Sequence, residues 1–271
     1  MRNKNIIWGF FIFSLGLVLG LLIPNFTENK FLGLPAPPPK KNSDGPEISN
    51  RQPQVTDLVK LYPRIVNRQG SSKTTYIALT FDDGPDNRYT PKILDVLKKY
   101  KVKATFFVVG TQIKKYPAIF RRMVKEGHEI GTHGYQHLNV SKLPATKINY
   151  QLNESNKLIQ KMGGPKQTIY RPPYGAIDPT AIERIGKKGY KVVLWTIDSL
   201  DWRSLKKTQV IKNVVPKLKK GYIVLQHNAA ESKRENLTGS VQALPTIIER
   251  GKKQGFRFVT VSQLLKTAPR K

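Results

Sequence analysis

The 271-residue sequence contains no cysteine. Disulfide stapling is therefore excluded, and the fold must live on an ordinary apolar core. Acidic residues are scarce: 18 Asp and Glu stand against 47 Lys and Arg, a formal charge of +29. Residues 1–72 hold only nine Lys/Arg and four Asp/Glu, which leaves +24 on the remainder. Such a surface is drawn to polyanions. Nucleic acid is the reflex partner, but an exported protein first meets anionic wall polymers and phospholipid head groups; a merely solvated face is the alternative. Charge is missing altogether from residues 6–23, an apolar run that follows Arg2 and Lys4 and stops at Pro24. Its length approaches what a bilayer requires, and no small-x-small cleavage site follows it. We expect residues 1–5 in the cytoplasm, 6–23 as an uncleaved transmembrane signal anchor, and the rest outside. A cleaved signal peptide with a secreted product is the alternative. An exported chain without disulfides suits a Gram-positive-like exterior better than a eukaryotic secretory route.

Residues 24–72 are rich in Pro, Ser, Asn and Lys, and Pro37-Pro38-Pro39 favours an extended spacer. Weak apolar periodicity over residues 57–66 suggests packing on the domain that follows. From Lys73 the pattern changes. Short β-branched and aromatic runs at residues 76–81, 104–109, 128–132, 168–171, 190–196, 222–226 and 256–260 alternate with amphipathic stretches at 90–100, 114–126, 145–162, 179–188, 207–219 and 241–254. Strict strand–helix alternation implies an α/β fold with a parallel sheet of about seven strands.

The chemistry-bearing residues fall on this frame in one way. Thr80-Phe81-Asp82-Asp83-Gly84-Pro85 closes the first strand, and Gly131-Thr132-His133-Gly134-Tyr135-Gln136-His137 follows the third. Arg171-Pro172-Pro173-Tyr174-Gly175 ends the fourth, Asp198 to Trp202 follows the fifth, and Leu225-Gln226-His227 ends the sixth. Every motif sits at a strand's C-terminal end, and in an α/β barrel those ends form one mouth. Unrelated surface polars would scatter over both ends. Two imidazoles four apart with a carboxylate satisfy a mononuclear zinc-type hydrolase site. Asp82 and Asp83 project differently at a strand end, so one can face a metal and the other substrate; read alone, Asp-Asp-Gly-Pro is an ordinary turn. His128, the fourth histidine, lies on a strand and reads as a structural core residue.

With these five motifs in order, the chain resembles the polysaccharide deacetylase family, the NodB-homology domains of carbohydrate esterase family 4, over essentially residues 73–267. The resemblance implies a distorted (β/α) barrel and a catalytic domain over 73–271. It implies Asp83, His133 and His137 as ligands of one divalent metal, zinc first, with cobalt, nickel or iron(II) also compatible with such a donor set. It implies Asp82 as general base, oriented by Arg171, and His227 as the acid that protonates the departing amine. Asp201 pairs with His227 by motif, with Asp198 as the competing partner. The Tyr174 backbone N–H would face the developing oxyanion, and Trp202 and Leu225 would wall a slot for the acetyl methyl group. Asn228 departs from the family, where many members carry Asp.

The expected activity is removal of N-acetyl groups from N-acetylglucosamine units of a cell-wall glycan, peptidoglycan first, by a membrane-tethered, monomeric enzyme lying against anionic wall polymer or membrane and not nucleic acid. A chitooligosaccharide or other polysaccharide is the alternative substrate. A non-catalytic wall-binding module and a metal-dependent phosphoesterase or nuclease are the rivals from other classes.

Overall fold

The computed structural model describes residues 55–230, 232 and 234–266. The expected membrane anchor at residues 6–23 lies outside them. Among the described residues, no helix is long and apolar enough to cross a membrane. In chain order the elements are α1 (Val55–Leu61), β1 (Val66–Asn67), β2 (Tyr76–Asp82), α2 (Thr90–Lys99), β3 (Thr105–Val108), α3 (Gly110–Lys115), α4 (Pro117–Lys125), β4 (Glu129–Thr132) and α5 (Ala145–Lys161). They continue with β5 (Ile169–Tyr170), α6 (Pro179–Lys187), β6 (Lys191–Val193), β7 (Ile197–Asp198), α7 (Lys207–Val214), β8 (Ile223–His227), α8 (Thr238–Lys253), β9 (Arg257–Phe258) and α9 (Val261–Lys266).

The strands form one curled, parallel half-barrel in the order β1-β6-β5-β4-β3-β2-β8-β7, with β9 also pairing to β2. This is the expected α/β, NodB-type architecture. β2 is its spine: Thr80, Phe81 and Asp82 stand opposite Thr105, Phe106 and Phe107 on one side and Leu225, Gln226 and His227 on the other. Covered on both faces, β2 reads as a continuous apolar run rather than an alternation. Alternation still decides which face each side chain takes. Ile77, Leu79 and Phe81 join Ile93, Leu94, Leu97, Phe120 and Ile247 of the helices in the main core. Ala78 lies on the other face with Phe107, Ile169, Val193 and Ile223, where α9 brings Val261 and Leu264 onto them. Thr80 and Asp82 share that inner face, nearer the mouth.

The described sheet has nine strands rather than about seven. The two added are β1, in the stretch that reads as spacer, and β7, which directly follows the apolar run at 190–196 that reads as one strand. Residues 55–72, read from sequence as the end of the spacer, are part of the fold. Leu58 and Val66 are buried, and β1 pairs with β6. The helix expected over residues 114–126 is two, because Pro117 starts a new one. α7 stops at Val214, ahead of Pro216, whose missing N–H ends the α-helical ladder.

Candidate active site

The five motifs converge on a cavity of about 550 Å³ at the C-terminal ends of the strands, lined by Asp82, Asp83, His133, His137, Tyr174, Trp195, Asp198, Trp202, Leu225, His227, Ser232 and Glu235 among others. Three side chains reach it through costly backbone: Asp83, His137 and Tyr174 have φ between 57° and 77°, and Leu200, in the turn before Asp201, has φ 55°. Non-glycine residues seldom adopt that conformation, and it gathers where geometry is over-determined by function.

Asp83, His133 and His137 each place one ligand atom within 4.8 Å of the others. Asp83 Oδ1 lies 3.3 Å from His133 Nε2 and 3.1 Å from His137 Nε2. His133 Nδ1 is 2.7 Å from the Arg171 carbonyl, which only accepts, so this nitrogen carries the proton and Nε2 presents a lone pair. Asp83 Oδ1 is buried and has no hydrogen-bond partner of good geometry. Burial alone would raise the Asp83 carboxyl pKa; the two imidazoles and the charge of His227 outweigh it and hold the group ionised, well below the usual range. A buried anionic oxygen with two imidazole nitrogens converging on it is the donor set of a divalent cation.

Asp82 points elsewhere. Its Oδ1 accepts from Arg171 Nη1 at 2.8 Å, while Oδ2 lies 3.9 Å from His133 Nε2. Arg171 is wholly buried. It donates to Thr80 Oγ1 at 2.7 Å and to the carbonyls of Val193 and Leu194, and its guanidinium lies over the Phe107 and Trp195 rings at 4.1 and 5.6 Å. Desolvation lowers the Arg171 pKa and Asp82 opposes that. Thr80 and Trp195 were not legible as partners of this arginine. Gly175 carries a local demand of its own: its φ is +65°, and a Cβ there would come within 2.8 Å of the Trp195 ring.

On the opposite wall, His227 Nδ1 lies 2.7 Å from Asp201 Oδ1, and the His227 N–H donates to Asp201 Oδ2 at 3.0 Å. The choice that sequence left open between Asp201 and Asp198 is made by the turn between them. Asp198 Oδ1 accepts from the Leu200 N–H, and the left-handed Leu200 swings Asp201 under the imidazole. Burial alone would keep His227 neutral; Asp201 more than reverses this, helped by Asp83 and Asp82, and the pKa is raised to about 10. Burial likewise pushes the Asp198 carboxyl up. Leu225 is buried against the cavity, and Trp202 and Tyr174 stand exposed at its rim. His128 lies away from the cavity, its Nδ1 accepting from the Ala104 N–H at 3.2 Å. Asn228, fully buried, ties the two walls: its Oδ1 accepts from Gly84 N–H, its amide donates to Thr90 Oγ1, and its own N–H donates to the Asp82 carbonyl.

The raised His227 pKa sets a pH expectation. The imidazolium is present below about pH 10 and lost as pH rises through that value. Asp201→Asn removes the principal charge holding it, so the alkaline limb of kcat should move down toward the ordinary histidine range near 6.5. An unmoved limb in a pH–rate profile of that variant would separate His227 from the titration.

Comparison with known proteins finds relatives of one family. A family model described as polysaccharide deacetylase matches residues 69–193. The chain is 38% identical over 192 residues to a peptidoglycan-N-acetylglucosamine deacetylase of Bacillus cereus, covering 71% of this chain and 69% of that one. It is also 38% identical to the peptidoglycan-N-acetylmuramic acid deacetylase PdaC of Bacillus subtilis, over 69% of this chain and 38% of that one. A crystal structure of the Bc1960 peptidoglycan N-acetylglucosamine deacetylase superposes with a TM-score of 0.74 at 34% identity, covering 78% of this chain and 98% of that chain.

Proposed function

From the premise that this chain belongs to the polysaccharide deacetylase family, we propose that it hydrolyses N-acetyl groups on the N-acetylglucosamine units of a cell-wall glycan, peptidoglycan in the first place. The observation that carries this reading is the orphaned Asp83 oxygen between two imidazoles, with Asp82 and His227 on either side of the same cavity. The family is metal-dependent, and zinc is the ion we propose for Asp83, His133 and His137, since nitrogen and carboxylate donors with an open position suit it. A divalent ion held there supplies Lewis-acid polarisation of the acetamide.

The chain's own residues divide the proton work. Asp82, fixed by Arg171, accepts the proton of the attacking water. The backbone N–H of Tyr174 stabilises charge developing on the acetyl oxygen. His227, held as imidazolium by Asp201, gives its proton to the departing amine, which leaves poorly without it. Leu225 and Trp202 wall the space for the acetyl methyl group.

N-Acetylglucosamine is preferred over N-acetylmuramic acid on charge. The described cavity lining includes four carboxylates, Asp82, Asp83, Asp198 and Glu235, and neither Lys nor Arg. A lactyl carboxylate on the reacting sugar would find no lysine or arginine among them, and the one cation there, the His227 imidazolium, is already paired with Asp201. Acetate release from purified peptidoglycan and from chitooligomers, with mass-spectrometric assignment of the free amine, tests this directly. Free amines confined to glucosamine are expected; muramic amines in excess would sink the preference, and no acetate from either substrate would sink the activity.

We further propose that residues 6–23 tether the enzyme outside the membrane and that its +24 charge holds it against anionic wall polymer. Full-length protein should then fractionate with membrane. The part from Val55 onward, which keeps β1 on β6, should bind walls with an affinity that falls steeply with salt, because screening acts over about 8 Å at physiological ionic strength. Recovery of a form processed near Asn25 in the medium would refute the tether. Salt-independent wall binding would reduce the charge to a solvated surface.

A further inference from the structure

Five large apolar side chains stand exposed among the described residues: Leu61, Leu138, Tyr150, Tyr174 and Trp202. Two of the five stand at the mouth, and two more lie on or against the loop that carries His133 and His137. Tyr174 and Trp202 line the cavity, and Leu138 directly follows His137. Tyr150 belongs to α5, which is fastened to the same loop. Gln151, its neighbour, accepts the N–H groups of Tyr135 and Gln136 on one side-chain oxygen at 2.9 and 2.7 Å. The Tyr150 ring meets the Tyr135 ring edge-on with centroids 5.9 Å apart.

This pair is rigidly backed. A Cβ on Gly110 would come within 2.3 Å of the Tyr135 ring, so α3 begins flush against it. Tyr150 is 45% exposed, so the outer ring of the pair remains accessible. The sheet order sets its direction from the chemistry. Tyr135 follows β4 and Trp202 follows β7, on opposite sides of the β2 spine that carries Asp82. Aromatic side chains therefore stand on both flanks of the cavity. A β-linked N-acetylhexosamine strand presents flat C–H faces, and exposed aromatic surface rimmed by polar groups fits such a face.

We propose that Tyr135 and Tyr150 form a distal sugar-binding ledge, which holds the glycan strand at a unit removed from the one being deacetylated. The proposal rests on the glycan reading above and adds to it a second contact region, on the loop that carries His133 and His137. The ledge acts on long strands and is out of reach of short ones.

Tyr150→Ala and Tyr150→Phe in the full chain test it, with N-acetylglucosamine dimer and hexamer as substrates and calorimetric hexamer binding as a second readout. Tyr150→Ala should raise the hexamer KM and dissociation constant about three- to tenfold, the range one aromatic contact supplies. The dimer KM should change by a clearly smaller factor, and Tyr150→Phe should restore the hexamer values because the ring is kept. Equal effects of Tyr150→Ala on dimer and hexamer, or none on hexamer binding, would overturn the ledge. A wild-type protein that binds hexamer, loses that binding on Tyr150→Ala and yet releases no acetate would instead overturn the activity while leaving the ledge standing. Equal thermal midpoints of the three proteins exclude a folding defect as the cause.

Discussion

Alanine at His133 and His137 together is expected to abolish divalent-ion binding at this site and to lower deacetylation by on the order of a thousandfold or more, because an ion held there would supply several kcal/mol of transition-state stabilisation. The fold should survive. His133 and His137 sit at the mouth, on a loop after β4, and neither belongs to the apolar clusters under α2, α5 or α9. Metal content measured by elemental analysis separates this outcome from a damaged fold, with circular dichroism as the control. A double variant that still carries one equivalent of metal at this site would refute the ligand set, whatever its activity.

Arg171→Met should be costly in a different way. Arg171 and Asp82 are both almost fully buried and 2.8 Å apart, so the variant leaves a carboxylate without its cation in the interior. Breaking such a pair costs about 3–5 kcal/mol. For a domain of this size that is a fall in Tm of roughly 6–20 °C. Turnover should fall with it, since Asp82 loses the contact that orients it. Adding Asp82→Asn should return part of the lost stability, because the uncompensated charge is gone, and none of the activity. A thermal midpoint for Arg171→Met within about 2 °C of wild type would show that the pair contributes little to holding the fold.

Sequence made the mouth legible because a parallel α/β arrangement sends every strand's C-terminal end to the same place. Asp82, His133, Arg171 and His227 could be gathered there before any coordinate was known. What stayed hidden depended on contacts that no local pattern encodes. Arg171 before two prolines looks like a surface residue, and its burial follows only from the inner-face register that sets Thr80 and Asp82 beneath it. Asp198 and Asp201 lie three residues apart, so their roles divide on the φ of a single leucine. Strand β1 lies in a stretch that reads as spacer, and β7 follows the apolar run at 190–196 with no turn residue to separate it from β6. Glu235 and Ser232 reach the cavity from the stretch after β8, where the sequence gives no strand end to point to them.

The position of Asn228 bears on how such an enzyme can change its diet. Through one side chain it clasps the turn carrying Asp83 and the strand end carrying His227, so closely that a Cβ on Gly84 would fall 1.9 Å from its amide nitrogen. The Asp83 carboxylate and the His227 imidazole therefore travel as one casting, with no slack for a substrate to pry them apart. New glycans would be accommodated at the rim, in the loop from Leu138 to Leu143 and around Ser232 and Glu235. Divergence in this family member should thus appear as interchangeable lips around an invariant jaw.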